Sequence, residues 1–117
     1  MEKLFDGEYK LLEILWDNGP LNSTRLAVLC AERLGWSKST TYTVLRKVKQ
    51  KGAVRHEDTL VTPLVSREDA IREQGEELAR KAGGWFPFLT AFMSGRRLTR
   101  QEAEALKRLI DEKLGEG

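Results

Sequence analysis

A mainly α-helical fold with one small β wing is what this sequence predicts, and three observations predict it. Apolar residues recur at helical spacing in successive segments, each bounded by a capping residue or a glycine. One stretch, Ala53 to Pro63, reads instead as two short strands around a tight turn near Glu57-Asp58-Thr59. Positive charge is gathered in one place. Trp36 to His56 holds Lys38, Arg46, Lys47, Lys49, Lys51 and Arg55 without a single acid.

Taken in order, Asp6 can cap a first helix from Gly7 to Asn18, with Tyr9, Leu12, Leu15 and Trp16 on one side and Gly19-Pro20 as its stop. That aromatic stripe reads as core rather than as a ligand box. Asn22 caps a second helix, Leu21 and Leu26 are placed as a hydrophobic staple, and Leu26, Leu29, Cys30 and Leu34 form its inner face. Gly35-Trp36 makes a short turn into a third helix from Lys38 to Lys51, capped by Ser37 and ended by Gly52. Thr41, Val44, Leu45 and Val48 fall on the inward side of that helix. The second and third helices therefore stand in helix-turn-helix relation, and the hairpin after them is a wing, with Val54, Leu60 and Val61 covering the core edge.

Ser66 with Asp69 resembles a capping box opening a charged fourth helix that ends at Gly83-Gly84. The apolar run Trp85 to Met93 follows, with Pro87 tolerated in a first helical turn. Thr99 with Glu102 caps a last helix whose Ala103, Leu106, Leu109, Ile110 and Leu114 make a continuous stripe. The expectation is a winged helix-turn-helix domain over residues 1–66 and a helical dimerisation domain over 67–117. The second part makes a poor core alone, so association with a second copy is the simplest way to cover it. Ile71, Leu78, Phe88, Phe92, Leu106, Leu109 and Ile110 are the expected dimer interface. The competing arrangement is a monomer in which these helices fold back.

Composition narrows function. The chain has 117 residues, 40% hydrophobic and 32% charged, as an ordinary globular protein does. Its apolar run from Trp85 to Met93 is too short to cross a bilayer and its start lacks a signal-peptide pattern, so a cytoplasmic protein without membrane insertion is expected. The single cysteine, Cys30, reads as a buried small hydrophobe. One histidine, one cysteine, no glycine-rich phosphate loop and no metal-ligand cluster argue against an enzyme, a metal site or a cofactor.

Charge supplies the positive indication. Residues 1–35 carry four bases and six acids, residues 36–56 six bases and no acid, and residues 57–117 ten bases and twelve acids, giving −2, +6 and −2. Such a patch neutralises phosphates and releases their counterions. On the third helix Ser39, Tyr42, Thr43, Arg46 and Gln50 point away from the core, with Lys38 at the first turn and Lys49 on the flank. Arg46 is the candidate for a guanine contact, supported by Thr43 and Tyr42, and Ser39 lies where phosphate is welcome. Lys38, Lys47, Lys49, Lys51 and Arg55 would hold the backbone. His56 reads as a surface residue, with a phosphate contact second. The competing reading is a winged-helix module that binds proteins, which would not need an acid-free basic face.

The order and spacing of these residues resemble the penicillinase and methicillin-resistance repressor family, the BlaI/MecI type, over nearly the whole chain. The resemblance rests on Leu15-Trp16, Gly19-Pro20-Leu21, Trp36-Ser37, Thr40, Thr43, Val44-Leu45, Arg46-Lys47, Lys51-Gly52, the passage Thr62 to Glu68, and Phe88 to Phe92 leading to Leu98-Thr99. It implies a homodimer that binds a palindromic DNA operator and represses transcription. In members tied to antibiotic resistance it also implies a membrane sensor that triggers proteolysis, commonly between asparagine and phenylalanine. The matching bond is Ala91-Phe92, with alanine in place of asparagine. Two other departures stand out. Thr59-Leu60-Val61 replaces the family's aromatic and arginine-glycine wing elements, and the C-terminal cysteine cluster of the copper-responsive relatives is missing.

Overall fold

A computed structural model describes residues 2–115. The elements run α1 (Asp6–Asn18), β1 (Leu21–Asn22), α2 (Ser23–Leu34), α3 (Lys38–Gln50), β2 (Val54–Glu57), β3 (Leu60–Pro63), α4 (Arg67–Ala82), α5 (Trp85–Met93) and α6 (Arg100–Gly115). The fold is a winged helix followed by a helical region. It divides into two compact units, residues 1–78 and 79–117.

In the first unit α1, α2 and α3 pack around Leu11, Leu12, Leu15, Leu26, Cys30, Leu45 and Val48, closed at one edge by Val54 and Val61 of the sheet. Each helix contributes residues three and four apart, as an amphipathic stripe must. Tyr9 and Trp16 join this core edge-on to each other, their ring centroids 5.3 Å apart. Burial holds the Cys30 thiol above its ordinary range, against a smaller opposing effect of a hydrogen bond with Thr41.

Two helix boundaries differ from expectation. The cap of α1 is Phe5, one residue before Asp6, because the Glu8 carboxylate reaches back to accept the Phe5 backbone N–H at 2.7 Å. Asp6 becomes the first helical residue. Further along the chain, α3 stops at Gln50. Gly52 takes φ +80°, so that its N–H meets the Lys49 carbonyl and that of Ala53 meets the Val48 carbonyl. This paired closure needs a left-handed residue, which glycine supplies without a Cβ clash.

The sheet has the antiparallel order β1-β3-β2. The hairpin expected from sequence is present, with His56 opposite Val61 and Glu57 opposite Leu60. The third strand, β1, was not expected: two residues carry no periodicity. Asp58 and Thr59 form the turn with φ of 49° and 69°, the positive pair that a two-residue hairpin of matching twist requires. A β-branched residue is costly there. Thr59 is held by the start of α2: its carbonyl accepts the Ser23 N–H at 2.7 Å, and its Oγ1 accepts from Asn22 Nδ2 at 3.0 Å. Asn22 also caps α2, accepting the Thr24 N–H at 2.8 Å.

The start of α4 belongs with the first unit. Ala70 is buried in its core, Arg67 Nη2 donates to Asp17 at 2.9 Å, and the Trp16 indole N–H donates to the Val65 carbonyl at 2.9 Å. In the second unit, α5 and α6 contain no buried residue. Thr99 and Glu102 cap α6 reciprocally, each backbone N–H meeting the other's side chain at 3.0 Å.

Candidate nucleic-acid interface

Helix α3 is held so that one side is fixed and the other free. Ser37 Oγ accepts the Thr40 N–H at 3.1 Å, and Thr41, 1% exposed, sends its hydroxyl to the Ser37 carbonyl. Leu45 and Val48 are buried behind it, and Val44 is half-buried. Lys38, Ser39, Thr43, Arg46, Lys47, Lys49 and Gln50 are exposed, and Tyr42 is half-buried. No ion pair engages Lys38, Arg46, Lys47 or Lys49 among the described residues. Thr43 donates its hydroxyl proton to the Ser39 carbonyl at 3.0 Å, so it offers outward a methyl and an acceptor oxygen.

Lys51, grouped by sequence with the backbone-holding cations, lies elsewhere. Its side chain is 12% exposed, and its Nζ sits 2.6 Å from Glu8 Oε1 and 2.6 Å from the Lys3 carbonyl, over the Phe5 ring at 4.5 Å. The ammonium is engaged inside the protein. Glu8, which sequence reasoning passed over, is the buried anion of that pair, 4% exposed. A signal was available: Glu8 falls on the same helical stripe as Leu4, Leu11, Leu12 and Leu15. An acid on an apolar stripe calls for a partner.

The wing rearranges a second expectation. Side chains alternate along β2, so Val54 and His56 share one face and Arg55 and Glu57 the other. Arg55 lies near Glu57, Nε to Oε2 3.9 Å, both well exposed. His56 is the residue turned toward α3. With Tyr42, Leu45, Arg46 and Lys49 it lines a concavity of about 250 Å³ between helix and wing.

Among the described residues, no group of three or more His, Cys, Asp or Glu side chains is placed to hold a metal, and no helix is long and apolar enough to cross a membrane. The chemistry on offer at α3 is that of guanidinium, ammonium, hydroxyl and amide groups on an exposed, acid-free face. A family profile described as penicillinase repressor matches residues 5–112. No curated protein matches the chain.

Proposed function

The chain belongs to the penicillinase repressor family, a family of regulators rather than enzymes, and we propose that it represses transcription by binding a palindromic operator as a homodimer. The observation that carries this reading is the exposed face of α3, where Lys38, Arg46, Lys47 and Lys49 have no acidic neighbour in ion-pair reach among the described residues. In a major groove, Arg46 would meet a guanine, Thr43 would offer its methyl to thymine, and Ser39, Tyr42 and Gln50 would add polar contacts. Lys38, Lys47 and Lys49 would neutralise phosphates, with Arg55 reaching backbone from the wing. Lys51 drops out of that set, because its ammonium is already paired.

A second copy would cover Phe88, Phe92, Leu106, Leu109 and Ile110 of the second unit, and Ile71 and Leu78 of α4, each about half exposed, are proposed as further interface residues. Phe92, Leu109 and Ile110 are each about half exposed in the single chain (55%, 49% and 52%). Surface of that kind is what protein interfaces cover. A two-fold pair of recognition helices matches two half-sites about one helical turn apart, or a multiple of it. A cytoplasmic location is part of the proposal, and the resemblance to members tied to antibiotic resistance adds a membrane sensor that triggers proteolysis as a candidate source of its signal. Ala91 and Phe92 lie inside α5, so cleavage between them would require that helix to open first.

Selecting genomic DNA fragments with the purified protein over a range of salt tests the proposal. A palindrome should be enriched, with affinity falling steeply as salt rises. Weak binding without preference, or none, would favour a winged helix that recognises a protein instead.

A further inference from the structure

Recognition helix α3 has two overlapping outer rows. Ser39, Thr43, Arg46 and Gln50, at i, i+4, i+7 and i+11, face straight out. Tyr42, Arg46 and Lys49, at i, i+4 and i+7, turn toward β2 and meet His56 around the 250 Å³ concavity. Leu45, 2% exposed, and half-buried Tyr42 are among its lining residues. Arg46, Lys49 and His56 complete its lining, and no acid is among the lining residues. The space is smaller than the roughly 300–1,000 Å³ of small-molecule sites. Its acid-free lining, with two cationic side chains, favours an anion such as a phosphate.

We infer that this concavity seats a single backbone phosphate of the bound duplex, held jointly by Lys49 and His56, and so fixes the wing side of the recognition helix against the groove wall. The inference rests on the DNA-binding reading above. A helix lying in a major groove has a sugar-phosphate strand on either side, and the strand on the wing side must cross the gap between α3 and β2. Lys49 supplies a compact charge that makes little demand on direction, and the His56 ring supplies one directional N–H. Tyr42 can add its hydroxyl. Arg46, shared by both rows, stays available to the base edge. The seat accounts for a histidine on the inward face of a wing strand, where an apolar residue would pack as well.

A double-mutant cycle on a short random-sequence duplex tests the seat, since a phosphate contact does not depend on sequence. Lys49→Met and His56→Leu should each weaken binding by about tenfold, and the double variant should lose much less than the product of the two. Its slope of log affinity against log salt should fall by about one unit, not two. Losses that multiply would place the two side chains on separate phosphates and overturn the seat. His56 is the one histidine in the chain, so its ring signals in the NMR spectrum of the unmutated protein give a readout free of any folding defect. They should shift when duplex is added and stay put in inorganic phosphate at matched ionic strength. Equal shifts in inorganic phosphate would make this a free-anion site, against the proposal. Tight, salt-dependent binding of duplex with unmoved His56 signals would remove the seat alone, whereas no binding of duplex at all would remove the DNA-binding reading with it.

Discussion

Glu8 and Lys51 show how a single pair decides what a cation can do. Both side chains are withdrawn from water at a Nζ–Oε1 separation of 2.6 Å, so each is desolvated and depends on the other. Replacing only one leaves the other's charge buried. Lys51→Met should therefore lower stability in urea unfolding by about 3 kcal/mol, and adding Glu8→Leu should recover part of it, short of the Phe5 cap that the Glu8 carboxylate makes. If Lys51 touched DNA instead, its loss would flatten the salt dependence of binding. The expected result at temperatures where the variant is folded is an unchanged slope. Arg46 and Lys47 belong to the opposite case, exposed and without an ion-pair partner among the described residues. Arg46→Ala should cost about 1–3 kcal/mol on the selected operator and relax one base position, while Lys47→Ala weakens all sequences alike and reduces the salt slope by about one. Competition binding against single-base operator variants distinguishes the two. An equal loss on operator and random DNA for Arg46→Ala would refute its base-reading role.

At the scale of elements, caps and stripes made most of the fold legible. Ser37, Asn22 and the Thr99–Glu102 pair mark three helix starts by their chemistry, and each makes the expected cap bond. The misses have physical causes. Two-residue β1 exists only because β3 pairs with it, which no local pattern announces. Phe5 displaces Asp6 as the cap because a side chain three residues on outcompetes it. The basic face of α3 was legible from charge and period together, whereas the engagement of Lys51 and the inward turn of His56 depend on tertiary neighbours, Glu8 and α3, that sequence distance conceals. The α6 cap also carries a pH dependence. The Thr99 backbone N–H, and then its hydroxyl, hold the Glu102 carboxyl below the ordinary glutamate range. A carboxylate with a lowered folded-state value stabilises the helix at all pH above the unfolded value, and that contribution disappears as pH falls through the folded value. Helicity of α6, followed by NMR, should thus survive the ordinary glutamate titration range and fray below it. Glu102→Gln should abolish that acid-side step.

For the molecule as a whole, the two units divide the work that the proposal requires: one presents a basic helix and wing, the other presents apolar helices that a single chain leaves exposed. Phe92→Glu places a charge in the middle of the proposed partner surface. Light scattering at micromolar concentration should then show a monomer in place of a dimer, and operator affinity should collapse although α3 is untouched. A variant that keeps both the dimer mass and the affinity would move the interface elsewhere. Whether a two-fold protein reads a two-fold site is decided by comparing the selected palindrome with the same duplex carrying one scrambled half. Two chains should bind the intact site, and scrambling either half should reduce affinity by a factor far larger than a single mismatched base pair costs. Equal affinity for intact and half-scrambled duplexes, with one chain bound to each, would contradict the two-fold reading.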